Sequence, residues 1–172
     1  MLDKSKNKTS FSIALSGIIG ALYIILTMAF YPISFGAVQV RISEFMTILP
    51  LFCPEAVFGL TIGCLISNMF GNGLLDIIFG TLATFLASVC TYFVGKALKN
   101  RIVKFLVGGS FPVVFNALIV PITFLAVTEL KELYLISAAQ VFLGQFLAVY
   151  ILGGVVYFVF GKRIEKTGIF NR

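Results

Sequence analysis

The chain has 172 residues, of which 59% are hydrophobic and only 12% are charged, and its formal net charge is +6. Its mean hydropathy of +1.06 is too high for a soluble domain of this length, because that much apolar surface could not be buried. The sequence therefore predicts an integral membrane protein with almost no extramembrane domain, and membrane topology rather than nucleic-acid binding explains the basic residues beside its apolar segments.

The first predicted helix spans residues 11–31 and follows a polar, lysine-rich start. Its apolar run from Ile13 to Phe30 is too long for the hydrophobic region of a signal peptide and has no convincing cleavage site. Pro32 is expected to end this helix. Small residues lie one turn apart on one face and allow another helix to approach closely. This face is either an ordinary contact within the bundle or a docking face for a partner subunit, and its members are Ser16, Gly17, Gly20 and Ala21.

The stretch from Glu44 to Phe70 is either one kinked helix or two short helices that turn near Cys53-Pro54-Glu55. With two helices the chain has six segments, and eleven of the thirteen Lys and Arg residues lie on the side of the termini, leaving Arg41 and Lys131 on the other. With one helix the distribution is four against nine. Because basic residues collect on the cytoplasmic side, the sequence predicts six segments in the cell membrane, with both termini cytoplasmic.

The predicted fold is an all-α integral membrane protein, a six-helix transmembrane bundle that forms a single domain over residues 1–172. Whether the short second helix crosses the whole bilayer stays open, because its length is only about 15 Å at 1.5 Å per residue. No strong internal repeat supports the inverted-repeat design of many secondary transporters. The six predicted helices cover about 11–31, 44–53, 55–70, 74–98, 102–127 and 134–160.

Polar side chains punctuate the later helices. Asp76, near the start of the fourth helix, heads a stripe of small and weakly polar residues that faces protein or a cavity, and it is either a helix-dipole partner or part of a site. In the fifth helix, Pro112 leaves the carbonyl of Gly108 free, and the mid-depth Asn116 either satisfies a neighbouring carbonyl or joins a site.

Two glutamines of the sixth helix, Gln140 and Gln145, are five residues apart and point about 140° away from each other. Only one of them is therefore expected in a shared pocket. We favour Gln140, because it lies nearer the outer surface.

Arg41 and Glu44 are three residues apart and share one face of a helix that starts there. Charges near hydrocarbon are costly, so they indicate a binding site or a paired structural lock. With the amides and with Asp76 they offer donors and carboxylate acceptors for a small, polar, planar ligand on the outer side, on which Phe35 or Tyr134 could stack. The predicted substrate-binding residues are Gln39, Arg41, Glu44, Asn68, Asp76, Asn116 and Gln140.

The residue inventory argues against catalysis. The chain has no histidine, which removes the usual triads and histidine metal sites. Its three cysteines, Cys53, Cys64 and Cys90, lie in apolar stretches, which is typical of helix packing. Gly95-Lys96 and Gly161-Lys162 lack the rest of a P-loop motif. We expect no catalytic residues, no metal, no cofactor and no ATP hydrolysis by a P-loop.

Four stretches of the chain together form a specific pattern: Val38-Gln39-Val40-Arg41-Ile42-Ser43-Glu44, Ile48-Leu49-Pro50, Gly59-Leu60-Thr61-Ile62-Gly63-Cys64 and Leu75-Asp76-Ile77-Ile78-Phe79-Gly80. These stretches resemble the QueT family, whose members are substrate-binding S-components of energy-coupling factor (ECF) transporters, and the resemblance spans essentially the whole chain. It implies a six-helix bundle with an outward pocket capped by the loop after the first helix, and queuosine precursors (queuine or related 7-deazaguanine bases) as substrates.

The same resemblance implies that the small-residue face of the first helix docks onto a membrane-embedded scaffold subunit, and that two separate ATPase subunits drive transport. Two alternatives stay open: an S-component for another vitamin-like molecule, and a stand-alone ion-coupled carrier. A membrane enzyme ranks last, because no nucleophile–base pair or metal cluster is visible.

Overall fold

A computed structural model describes residues 2–35, 40–71, 73–123 and 131–166. Within these ranges all regular structure is helical, in seven helices. They are α1 (Leu2–Ala29), α2 (Tyr31–Ser34), α3 (Ile42–Leu51), α4 (Glu55–Met69), α5 (Leu74–Ala97), α6 (Arg101–Ile119) and α7 (131–166).

The surface of the bundle is apolar and its interior holds polar side chains. Ile13, Leu74 and Leu135 are 68%, 70% and 67% exposed, whereas Glu44 and Asn68 are buried. A soluble protein would show the reverse distribution. Four helical stretches are long and apolar enough to cross a bilayer: Lys8–Ala29, Leu74–Ala97, Arg101–Ile119 and Leu133–Arg163. The arrangement is that of a multi-pass membrane protein.

α1 and α4 run parallel to each other. At one end Ser12 Oγ donates to Glu55 Oε1 at 2.8 Å, and at the other Tyr31 Oη donates to the Phe70 carbonyl at 3.0 Å. Since α1 and α4 point the same way, α3 must return through the bundle between them. The stretch between Glu44 and Phe70 is thus two antiparallel helices and not a single kinked one.

The remaining helices alternate in direction. A hydrogen bond from Thr91 Oγ1 to the Gly108 carbonyl (2.9 Å) joins α5 to α6. A second one, from Tyr150 Oη to the Leu106 carbonyl (2.7 Å), joins α7 to α6. Gly161 near the end of α7 lies against Phe52, beside the α3–α4 turn that also meets the start of α1. The start of α1 and the end of α7 therefore lie at the same end of the bundle.

The structure has seven helices where six were predicted, and the additional one is α2. The first helix does not end at Pro32: α1 ends at Ala29, and Pro32 lies in the first turn of α2. Proline is accepted there because the first N–H groups of a helix have no intrahelical partner to lose. α1 also starts at Leu2 rather than at residue 11, so the lysine-rich start is helical.

α3 is a 3-10 helix of ten residues. At about 2.0 Å per residue it extends roughly 20 Å, farther than the length expected for an α-helix. It packs against α1, α4, α5, α6 and α7 and is the central element of the bundle. Most of its side chains are buried: Ser43, Glu44, Met46, Thr47, Ile48, Pro50 and Leu51.

Two helix ends differ from prediction. α6 ends at Ile119, well before residue 127, because Pro121 has no N–H to donate to the Ala117 carbonyl and so does not continue the hydrogen-bond pattern of the helix; residues 124–127 lie outside the described ranges. α7 is longer than 134–160 and contains two π-helical segments, Leu147–Leu152 and Val156–Phe160.

Candidate functional site

Four of the side chains selected from the sequence come together around the start of α3. Arg41 directly precedes α3, Glu44 lies in its first turn, Asn68 lies in the last turn of α4, and Asp76 lies in the first turn of α5. Each is at most 7% exposed. These four residues, called the polar cluster below, are nearer the end of the bundle opposite to the chain termini.

Arg41 packs against an aromatic ring and a thiol. Its Cζ lies 4.9 Å from the ring centroid of Phe35, and its Nη1 lies 3.9 Å from Cys64 Sγ. Both Glu44 and Asp76 are close enough to act on its charge. A guanidinium can only donate hydrogen bonds and a carboxylate can only accept them, so two carboxylates around one guanidinium make the polar cluster rich in acceptors.

The Glu44 carboxylate is the meeting point of three helices. Tyr23 Oη, from α1, donates to Glu44 Oε1, and the Gln145 side chain, from α7, lies beside the same carboxylate. Glu44 Oε2 is buried and has no hydrogen-bond partner among the described residues. A buried acceptor without a donor costs about 1–3 kcal/mol, so this oxygen is a candidate contact for a bound ligand.

Asn68 links α4 to α5. Its Nδ2 donates to the Asp76 carbonyl at 3.1 Å, while its buried Oδ1 has no partner in the part of the chain described. A Cβ at position 80 would lie 2.8 Å from Asn68 Nδ2, so only glycine leaves room for the amide there. Gly80 thereby holds the Asn68 carboxamide at the helix interface.

Cys64 lies between several polar groups. Its sulfur is 3.4 Å from Asn68 Nδ2 and 3.2 Å from Thr84 Oγ1, in addition to its contact with Arg41. Cys64 is a free thiol, and within the described ranges no group of three or more His, Cys, Asp or Glu side chains could hold a metal ion. The thiol therefore acts as a weak hydrogen-bond acceptor between α4, α5 and Arg41.

The three other predicted site residues are Gln39, Asn116 and Gln140. Gln39 lies outside the described residues. Asn116 is buried in α6, where its Nδ2 donates to the Pro112 carbonyl at 2.9 Å. Gln140 is half-buried, whereas Gln145, the glutamine that we did not favour, is 6% exposed and lies beside Glu44.

A groove of about 730 Å³ runs along the outside of α1 and α4. Gly20 forms part of its floor, where a Cβ would lie 3.0 Å from the Gly59 carbonyl of α4. Gly17 is open instead, with nothing within 4 Å of a Cβ built there, and Ala21 is exposed. Close packing of α1 on α4 thus uses the Ser16–Gly20 side of the small-residue face, and Gly17 and Ala21 face the groove.

The family model described as QueT transporter matches residues 13–162 of this chain. The chain belongs to the QueT transporter family. A curated relative, the queuosine precursor transporter QueT of Lactococcus lactis subsp. cremoris, is 37% identical over 81 residues, which are 46% of this chain and 48% of that protein. The chain thus spans about half the length of that relative. No solved structure matches the chain at a significant level.

The match to the QueT family covers every residue of the polar cluster and of its surroundings. Three residues that contact the polar cluster were not among the substrate-binding residues predicted from the sequence. They are Tyr23, Cys64 and Gln145. The sequence signal for Tyr23 is its hydroxyl in an otherwise apolar run, followed one turn later by the hydroxyl of Thr27. Thr27 also faces α3, because its Oγ1 lies 2.7 Å from Ser43 Oγ. Membership in a transporter family agrees with the expectation that the chain is not an enzyme.

Proposed function

We propose that this chain is the substrate-binding membrane subunit, or S-component, of an ECF-type transporter that takes up queuosine precursors. The transporter family and the name of the curated relative support this substrate class. The proposed form is a bundle with six membrane segments and cytoplasmic termini, for which the distribution of Lys and Arg is the support.

The single observation that carries the proposal is the buried polar cluster, in which Glu44 Oε2 and Asn68 Oδ1 have no hydrogen-bond partner among the described residues. A 7-deazaguanine base presents two neighbouring donors, the ring N1–H and the 2-amino group, beside a carbonyl acceptor. Glu44 Oε2 can accept from the donor edge, Asn68 Oδ1 is a second acceptor without a partner among the described residues, and Arg41 can donate to the carbonyl. Hydrogen bonds that involve charged groups are the stronger ones, which favours a carboxylate and a guanidinium for this recognition.

The proposed substrate-binding residues stay those predicted from the sequence. Arg41, Glu44, Asn68 and Asp76 are the four that the fold brings together. Gln39, Asn116 and Gln140 are kept as predictions. Phe35, whose ring already lies on Arg41, is the proposed stacking partner for the base.

The proposed partners are a membrane-embedded scaffold subunit, docked on the groove beside Gly17 and Ala21, and two ATPase subunits. A groove lined by apolar and small residues on a membrane surface suits a second transmembrane helix, because small residues let two backbones approach closely. The chain has no P-loop motif of its own, which fits energy supplied by other polypeptides.

Titration calorimetry of the purified protein with queuine, its precursors, guanine and riboflavin tests the substrate class. We expect the 7-deazaguanines to bind more tightly than guanine, and riboflavin not to bind. Tight binding of riboflavin alone would point to an S-component for another vitamin-like molecule.

Copurification and uptake test the transporter class. We expect the chain to copurify with a scaffold and two ATPases and to support uptake that requires ATP. Uptake that persisted without these partners and collapsed with the proton gradient would point to an ion-coupled carrier instead.

A further inference from the structure

Gln145 lies at a structural irregularity of α7. It stands in the last α-helical turn, directly before the π-helical segment Leu147–Leu152, and it is 6% exposed. That π-helical segment packs on α3, and shortly after it Gly153 lies so close to α3 that a Cβ would be 3.2 Å from the Phe45 carbonyl. π-helical turns inside α-helices frequently occur at functional sites.

The Gln145 carboxamide is oriented by Glu44. A carboxylate can only accept hydrogen bonds, so the amide nitrogen is the end of the side chain that turns towards it. The other end, Oε1, is buried and has no partner among the described residues, and the same holds for Glu44 Oε2. Two buried acceptors without donors among the described residues therefore belong to two side chains that contact each other.

Two adjacent acceptors match a ligand edge with two adjacent N–H donors. The ring N1–H and the exocyclic 2-amino group of a 7-deazaguanine form such an edge. A charged acceptor suits the ring N–H, and a neutral carboxamide oxygen suits an amino group beside it. A site built to accept from an amino group also discriminates against ligands that lack it, because its acceptor would stay unpaired.

We propose that Gln145 is a specificity-determining residue, whose Oε1 accepts from the 2-amino group of the base while Glu44 Oε2 accepts from the ring N–H. This inference rests on the proposed function, since it assumes a base of the 7-deazaguanine class. It assigns the discrimination between 2-amino and 2-unsubstituted bases to α7, a helix from which we had favoured a different glutamine.

The test compares two ligands that differ only in the amino group, 7-deazaguanine and 7-deazahypoxanthine, by titration calorimetry of the full-length protein. We expect the wild-type protein to bind 7-deazaguanine about ten- to hundredfold more tightly. Gln145→Met keeps the size of the side chain and removes both polar ends, so the two affinities should become nearly equal. Gln140→Met, the same change at the half-buried glutamine, should keep the wild-type ratio.

Thermal unfolding of each variant reports on folding. If Gln145→Met does not fold, Gln145→Asn keeps the amide but withdraws it from the ligand, and the ratio should fall in the same way. A variant that weakens both ligands equally would show that Gln145 only positions Glu44, and an unchanged ratio would show that it is not involved; either result overturns the inference alone. A wild-type protein that binds neither base overturns the proposed function and this inference with it.

Discussion

Glu44 shows how one side chain can depend on three helices. Its backbone belongs to α3, its Oε1 accepts from Tyr23 of α1, and its carboxylate lies beside Gln145 of α7. A carboxylate buried in a membrane protein is costly unless its partners are in place, and removing one partner of a buried charged pair is costlier still. The free Oε2 is therefore the atom at which a ligand can gain most.

Glu44→Gln should weaken binding of a 7-deazaguanine about ten- to hundredfold, because one charge-assisted hydrogen bond is worth roughly 1.5–3 kcal/mol. The shape of the side chain and an acceptor for Tyr23 are kept, so the variant should still fold. Asp76→Asn should have an effect of similar size. Titration calorimetry gives the affinities.

Glu55→Gln is the matched control for this experiment. Glu55 is half-buried at the start of α4, where its Oε1 accepts from Ser12, and it lies in the groove rather than in the polar cluster. Its substitution should leave the affinity unchanged. If Glu44→Gln and Asp76→Asn also left the affinity unchanged, both residues would be structural.

The sequence could select Arg41, Glu44, Asn68 and Asp76 because charged and amide groups in apolar segments are rare and costly. It could not select Tyr23 or Cys64 in the same way. A tyrosine or a cysteine is common in membrane helices, and its polar role depends on which neighbour faces it. Gln140 was preferred to Gln145 because of its expected depth in the membrane, nearer the outer surface. In the structure it is Gln145 that lies beside Glu44.

At the scale of single helices, Pro112 shows how the fold compensates for a hydrogen bond that a helix lacks. Pro112 cannot donate to the Gly108 carbonyl, and Thr91 of the neighbouring helix donates to it instead at 2.9 Å. The sequence predicts the freed carbonyl, since proline has no N–H, but not the residue that satisfies it. That residue depends on the register between α5 and α6, which no local pattern contains.

Thr91→Val should destabilise the protein by about 1 kcal/mol, in the range found for interhelical hydrogen bonds in membranes. The substitution keeps the shape of the side chain and removes its hydroxyl donor. In a Pro112→Ala background the cost should be smaller, because an alanine at that position supplies the missing backbone N–H. Unfolding in a denaturing detergent series measures the free energies.

Thr81→Val is the control for that pair, since the buried Thr81 hydroxyl has no partner among the described residues. It should cost little or nothing. An equal cost for Thr91→Val in both backgrounds would show that the hydroxyl does not compensate for the proline.

At the scale of the whole molecule, the charge distribution predicted the path of the chain better than apolar periodicity did. Periodicity allowed one kinked helix between Glu44 and Phe70, whereas the count of Lys and Arg required two, and α1 and α4 are indeed parallel with α3 returning between them. The 3-10 geometry of α3 and the short α2 were not predictable in this way, because they arise from packing at the centre and from the turn around Pro32.

The parallel pair of α1 and α4 separates two surfaces of one helix: Tyr23 reaches inward to Glu44, and Gly17 faces the outer groove. Gly17→Leu should therefore leave ligand affinity and folding intact, because a Cβ there meets nothing within 4 Å. It should nevertheless impair ATP-driven uptake strongly, about tenfold or more, if a partner helix must approach this face closely.

Ala139→Leu adds comparable bulk at an exposed position of α7 and should leave uptake unchanged. Calorimetry and uptake in the reconstituted complex measure the two properties, and a parallel loss of binding and uptake in Gly17→Leu would show that this face serves the bundle itself.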